Sequence, residues 1–199
     1  MVWFNTWQED DYLRDKQDNV QRIEQCFLGS PIRTMLDIGC GLAYEARHLH
    51  STQGTQCDLM DREAEHNHPQ GRTRHNSYGK VGDMQGYHSL AELQAQLDQY
   101  QNFDHRLYDA DDLPDNTGRV YDLVYSSKSM GLHYPADTHR LFVQRHSHQD
   151  TRILLELRGT TEAQIQDMHP SVLIQRVIKR YRKSWLCEIQ YRETGTQLV

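Results

Sequence analysis

The segment Thr34-Met35-Leu36-Asp37-Ile38-Gly39-Cys40-Gly41 constrains what this chain can fold into more than any other. A short apolar run that breaks into closely spaced glycines and resumes as a helical stretch from Ala43 to His50 reads as a strand, a glycine turn and a helix in that order. Such a unit carries the chain across a helix to a parallel neighbouring strand. A parallel sheet is the direct consequence.

The rest of the chain repeats this alternation. Leu13, Val20, Ile23 and Phe27 recur at helical spacing, predicting an amphipathic helix from Glu9 to Leu28 that stops at Gly29-Ser30-Pro31. Gln56 to Met60 reads as a second strand, ending at Asp61. Residues 62–87 are rich in His, Asn, Gly and Arg without apolar periodicity, a long loop of the kind that serves as a lid or binding loop or stays disordered. Ser89-Leu90-Ala91-Glu92 fits a capping box, and Leu93, Leu97 and Tyr100 share one face, predicting a helix from Ser89 to Gln101. Strands are expected over Phe103 to Tyr108, ending at Asp109, and over Val120 to Tyr125, ending at Ser126. Pro135 is expected to open a helix running through Leu141 and Phe142. The nearly continuous apolar run Ile153 to Leu157, stopped by Arg158-Gly159, reads as a strand buried on both faces and as the centre of the sheet. From Ile174 to Arg192 the residues alternate, and Arg182-Lys183-Ser184 is placed to turn them back as an antiparallel hairpin.

No repeat or linker interrupts this order, so one α/β domain over 1–199 is expected, with a helical segment at 1–30 and a sheet core at 31–199. The 199 residues, 37% apolar and 25% charged, suit a single soluble core. With 22 Lys and Arg against 28 Asp and Glu, the net charge of −6 lacks the basic footprint of a dedicated nucleic-acid or anionic-membrane binder, although a local basic patch is compatible with it. No run of about 18 apolar residues is present, and the aromatic, acidic N-terminus is unlike an export signal. Cys26, Cys40, Cys57 and Cys187 are spread without a CxxC pair and read as small buried hydrophobes in a reducing compartment. The cytoplasm is the expected location.

The chemistry starts at Asp37. An acid closing an apolar strand, followed by glycines that let a backbone approach a ligand at the carboxyl edge of a parallel sheet, suits a nucleoside cofactor. A dinucleotide fingerprint would need a small residue at position 44, where Tyr44 stands, so NAD is disfavoured. The tract Leu36-Asp37-Ile38-Gly39-Cys40-Gly41-Leu42-Ala43 instead resembles the first motif of the class I S-adenosylmethionine-dependent methyltransferases, with Ala43 replacing the usual third glycine.

The resemblance continues in chain order. The family has an acid at the end of its second strand for the ribose hydroxyls, and Asp61 lies twenty residues beyond Gly41. It has an acid after the third strand for the adenine amino group, where Asp109-Ala110 stands, followed by Asp111-Asp112-Leu113-Pro114. Its fourth strand corresponds to Tyr121-Asp122-Leu123-Val124-Tyr125-Ser126, whose end faces the methyl donor and acceptor. The resemblance implies a Rossmann-like, mostly parallel seven-stranded sheet with a C-terminal antiparallel hairpin and helices on both faces. It implies S-adenosylmethionine as cofactor, held by Asp37, Gly39, Cys40, Gly41, Asp61, Asp109, Ala110 and Ser126. Each acid also has a plainer reading as a turn or surface residue.

The acceptor is less constrained. No Pro-Pro pair follows the fourth strand, which disfavours DNA amino-group methylation, while Gly131-Leu132-His133-Tyr134-Pro135 resembles tracts of some small-molecule and sugar O-methyltransferases. Transfer to a hydroxyl requires removal of its proton, and His133 is the best placed of the twelve histidines to act as base, with a structural imidazole as the alternative. Tyr134 either positions the acceptor or packs. A small polar or sugar-like molecule is the expected partner, with no membrane and with the chain as a monomer or homodimer. Asp111, Asp112, His146 and His148 do not complete a ligand set, and no metal is expected. His146-Ser147-His148 reads as an exposed helix end. Arg176, Lys179, Arg180, Arg182 and Lys183 form one basic cluster, either merely solvated or able to hold a phosphate or RNA backbone. Trp3, Phe4, Trp7 and Tyr12 either pack or cover the cofactor. The competing functions are an RNA or protein methyltransferase and a noncatalytic S-adenosylmethionine-binding module.

Overall fold

The computed structural model describes residues 9–62 and 89–192. The long loop expected at 62–87 and the aromatic residues Trp3, Phe4 and Trp7 lie outside the described residues, apart from Arg62. In chain order the elements are α1 (Glu9–Cys26), β1 (Thr34–Ile38), α2 (Tyr44–Gln53), β2 (Gln56–Asp61), α3 (Leu90–Leu97), β3 (His105–Asp109), β4 (Tyr121–Ser126), α4 (Arg140–Arg145), β5 (Ser147–Arg158), α5 (Glu162–Met168), β6 (Val172–Arg180) and β7 (Ser184–Tyr191). The seven strands form one sheet in the order β3-β2-β1-β4-β5-β7-β6. β4 runs parallel to β1 and β5, β2 is parallel to β3, and β7 is antiparallel to both of its neighbours. The expected mostly parallel sheet with a terminal hairpin is therefore what forms. Its middle strand is β4 rather than the expected β5.

Two compact units make up the chain, one of 1–33 and 40–113, the other of 34–39 and 114–199. In the first, α2 begins with Glu45 buried in its opening turn. Lys16 of α1 donates to both carboxylate oxygens, at 2.9 and 3.0 Å, and Asn19 Nδ2 adds a third bond at 3.1 Å. Burial alone would push the Glu45 carboxyl up, but Lys16 and Asn19 outweigh it and hold it below its ordinary value. Asp58 of β2, wholly buried, is paired across the ladder with Arg106 of β3, whose Nε donates at 2.8 Å. α3 opens with the expected capping box between Ser89 and Glu92. It ends at Leu97, four residues earlier than the periodicity predicts. Tyr100 does not join Leu93 and Leu97 in the core; it is 39% exposed and its ring lies 3.7 Å beneath the Arg47 guanidinium.

In the second unit β4 is buried almost throughout, with Leu123 and Val124 at zero exposure. Thr34 ties the start of β1 to β4: its Oγ1 donates to the Val120 carbonyl at 2.8 Å and accepts the Asp122 N–H at 3.1 Å. Pro135 opens a turn, closed by the Thr138 N–H on its carbonyl at 3.1 Å, and the helix starts only at Arg140. His146 is not at an exposed helix end. It is buried, Nδ1 on the Phe142 carbonyl at 2.9 Å and Nε2 accepting the Thr117 N–H at 3.2 Å, while His148 turns to Asp122 at 3.2 Å. The two imidazoles thus have separate structural partners. All four cysteines are buried and unbridged, and burial pushes the Cys187 thiol up to about 12.

Candidate functional site

The glycine turn after β1 divides into two differently supported halves. Gly39, at φ +69°, is pressed against the loop after β4: a Cβ there would lie 2.1 Å from Ser129 Oγ and 2.2 Å from Ser129 Cβ. Ser129 in turn organises its own loop, its carbonyl accepting the N–H groups of Leu132 at 3.0 Å and His133 at 2.8 Å. Ser126, buried at the end of β4, donates its hydroxyl to the Ile38 carbonyl at 2.8 Å and accepts the Met130 N–H at 3.0 Å. Its side chain is thereby committed to holding β1, β4 and the loop together. Asp37 is buried in β1, opposite Tyr125 of β4.

At Gly41, φ +49°, a Cβ would meet nothing within 4 Å among the described residues. Its N–H donates to Asp61 Oδ2 at 2.9 Å, and the Arg62 N–H donates to Asp61 Oδ1 at 2.8 Å. Each carboxylate oxygen has roughly two acceptor directions. The Cys40 thiol, a weak donor, also lies 4.0 Å from Oδ2, so among the described residues Oδ1 keeps an acceptor direction and Oδ2 keeps one that only this thiol shares. Burial raises the Asp61 carboxyl above its ordinary value, and the two backbone donors only partly oppose this. Cys40 packs the turn onto β2, its N–H on the Met60 carbonyl at 3.2 Å and its thiol 3.5 Å from the Gly41 carbonyl. Ala43, at the start of α2, is fully buried and left-handed at φ 49°, ψ 42°, the conformation a glycine would take without cost.

β3 ends in register with β2, Asp109 opposite Asp61. The Ala110 N–H donates to the Asp61 carbonyl at 2.8 Å, and Asp109 Oδ1 accepts the Asp111 N–H at 2.9 Å. Arg62 reaches Asp111 through Nε at 3.0 Å. The structure therefore gathers Cys40, Gly41, Asp61, Asp109 and Ala110 at the carboxyl ends of β2 and β3. It gathers Asp37, Gly39, Ser126 and the His133 loop at those of β1 and β4. Among the described residues no group of three or more His, Cys, Asp or Glu side chains is placed to hold a metal ion.

No family model matches the chain. No curated protein matches it in sequence. Solved structures do match it in fold. Magnesium protoporphyrin IX methyltransferase from Synechocystis PCC 6803, solved with bound SAH, covers 94% of this chain and 87% of its own at a TM-score of 0.56 and 16% identity. The ribosomal protein L11 methylase of Lactobacillus delbrueckii subsp. bulgaricus covers 90% and 79% at 0.56 and 15%. A TehB-like SAM-dependent methyltransferase from Corynebacterium glutamicum covers 90% and 95% at 0.55 and 13%. The chain has the class I methyltransferase fold.

Within that fold, sequence reasoning passed over Glu156. It is a buried acid in the otherwise apolar run of β5, and it takes three donors: Ser127 Oγ at 3.0 Å, the Lys128 N–H at 3.1 Å and Ser184 Oγ at 2.6 Å. One carboxylate thus fixes the loop after β4 and the first residue of β7. The signal was visible as a lone charge in a strand expected to be buried on both faces, where an acid persists only if paired or hydrogen-bonded. The same loop is pressed onto β5 at Gly131, where a Cβ would lie 2.8 Å from the Glu156 carbonyl oxygen.

Proposed function

We propose that this chain is an S-adenosylmethionine-dependent methyltransferase acting on an acceptor oxygen, with 1–199 as one catalytic domain. The observation that carries this reading is Asp61: a half-buried carboxylate with acceptor capacity left on Oδ1 and on Oδ2 shared only with the weakly donating Cys40 thiol, beside a glycine whose side-chain direction is open among the described residues. That pair fits a ribose diol and the close approach of its chain. When bound, S-adenosylmethionine supplies a sulfonium methyl group for in-line displacement. Asp61 would accept the two ribose hydroxyls, Asp109 the adenine amino group, and Gly41 would leave the space between them. Asp37, Gly39 and Ser126 shape the edge from β1 and β4.

His133 would take the proton of the acceptor hydroxyl as the new C–O bond forms and the C–S bond breaks. Its loop is hydrogen-bonded through the Ser129 carbonyl and Glu156 and is packed on β5 at Gly131, which supports that role. A small polar hydroxyl compound is the simplest acceptor. A polymeric acceptor is the second reading, supported by the exposed basic tip of the β6–β7 hairpin at the carboxyl end of β5. In His133→Ala, S-adenosylhomocysteine affinity is expected to stay near the parent value while turnover falls by about 10² to 10⁴. The parent pH–rate profile should carry a histidine ionisation that the variant lacks. Full activity in the variant would return His133 to a structural role, and equal losses of binding and rate would make it a cofactor contact.

A further inference from the structure

The β6–β7 hairpin concentrates a positive charge that the rest of the chain lacks. Between Val172 and Arg192 six Lys and Arg stand against one acid, Glu188, a net of +5 in a chain whose total is −6. The remainder therefore carries −11. Glu188 takes Arg152 at 3.1 Å and Arg176 at 3.0 Å, and four of the six cations lie at the tip, from Lys179 to Lys183. There the Lys179 ammonium lies 4.4 Å from the centre of the Tyr181 ring and the Arg180 guanidinium 4.6 Å from that of Trp185. Arg180, Arg182 and Lys183 are exposed.

Lysines on an edge strand can serve only to discourage edge-to-edge pairing. That role does not account for where this tip is fastened. Ser184, the first residue of β7, pairs with Arg158 at the end of β5, and the Gly159 N–H donates to the Lys183 carbonyl at 3.0 Å. Ser184 Oγ and Ser127 Oγ share Glu156, so the tip is tied through one buried carboxylate to the loop that leads to His133. The cations thus stand at the carboxyl end of β5, next to the end of β4. Exposed cations beside the part-exposed Tyr181 ring match a single-stranded nucleic acid, whose phosphates meet the charges and one of whose bases stacks at that ring, the Trp185 ring being buried. An acidic peptide would use the charges alone.

We propose that Arg180, Arg182 and Lys183 dock a single-stranded nucleic acid that bears the methyl acceptor. The role as acceptor rests on the methyltransferase reading above; the docking does not. The test uses the full chain and a labelled mixed-sequence single-stranded RNA, with anisotropy followed across a salt series. The parent is expected to bind and to weaken as salt rises. The double variant Arg182→Ala/Lys183→Ala should melt like the parent, bind about tenfold more weakly and show a salt slope shallower by about 1.4, two phosphate contacts' worth. DNA of the same sequence, binding equally, would assign recognition to phosphate and base; preference for RNA would assign part of it to the 2′-hydroxyl. Both support the docking. No binding by the parent at low salt, an unchanged double variant, or tip-dependent binding of polyglutamate or phosphatidylserine vesicles in place of RNA would overturn it. S-adenosylhomocysteine titrated into the same samples separates the two claims: RNA binding without it sinks the transfer reading alone, and its binding without RNA sinks the docking alone.

Discussion

At Gly39 a side chain would collide with Ser129, whose nearest atoms lie 2.1 and 2.2 Å from the Cβ position, whereas two residues on, at Gly41, the corresponding direction is open to 4 Å among the described residues. Both glycines belong to one turn, and both take a left-handed backbone. Protein fills the space at the first, so its glycine serves packing of the chain on itself. Space remains at the second, beside a carboxylate with acceptor capacity left. One glycine turn therefore holds an open position and a packed one within three residues.

The largest expected effect is on the packed side of this contrast. Gly39→Ala combines overpacking, about 1 to 3 kcal/mol, with a left-handed non-glycine backbone, about 1 to 2 kcal/mol, so denaturant melts should show a loss of about 2 to 5 kcal/mol. Adding Ser129→Gly should recover the overpacking part. If the double variant is no better than the single one, the collision does not explain the glycine.

Asp61→Ala tests the open side. Loss of its bonds to the ribose should weaken S-adenosylhomocysteine by about 1.5 to 3 kcal/mol, roughly ten- to hundredfold, by calorimetry. The pH dependence follows from the raised carboxyl. A ribose diol needs the ionised form, so affinity is complete above the raised value and declines as pH falls through it, starting above the ordinary aspartate range. Asp61→Asn should be weaker and flat across that window. A parent profile equally flat would remove Asp61 from the cofactor's contacts.

The smallest effect is expected at Ala43. Relief of a left-handed alanine, about 1 to 2 kcal/mol, is offset by the lost burial of its methyl group and by glycine's freer unfolded chain, about 1 kcal/mol or more together. Ala43→Gly should shift stability by no more than about 1 kcal/mol and leave cofactor affinity unchanged. A loss above about 2 kcal/mol would mean that the methyl group is held there by packing.

The strands were the most legible part of the sequence, because a parallel sheet buried on both faces writes itself as short apolar runs. β1, β2 and β4 fall where those runs lie, and the hairpin falls where the residues alternate. Periodicity misled where a residue found a partner outside the core: Tyr100 continues the spacing of Leu93 and Leu97 but lies under Arg47, so α3 need not continue to reach it. Pro135 carried an ambiguous signal, since proline opens turns as readily as helices. His146 looked solvated because its neighbours are polar, yet its two nitrogens are met by Phe142 and Thr117. In the site, the spacing of Gly41 and Asp61 was readable, whereas the packing of Ser129 on Gly39 and the Glu156 clamp depend on contacts between distant segments. No local pattern encodes those.

The central claim is that S-adenosylmethionine passes over Gly41 against Asp61. Calorimetric titration of S-adenosylhomocysteine into the parent and into Gly41→Val, with circular dichroism to verify the fold, addresses it most directly. The parent should bind, and the folded variant should bind at least about a hundredfold more weakly because the branched side chain occupies the ligand's path. Equal affinity in the two proteins, or no binding by the parent, would contradict the claim.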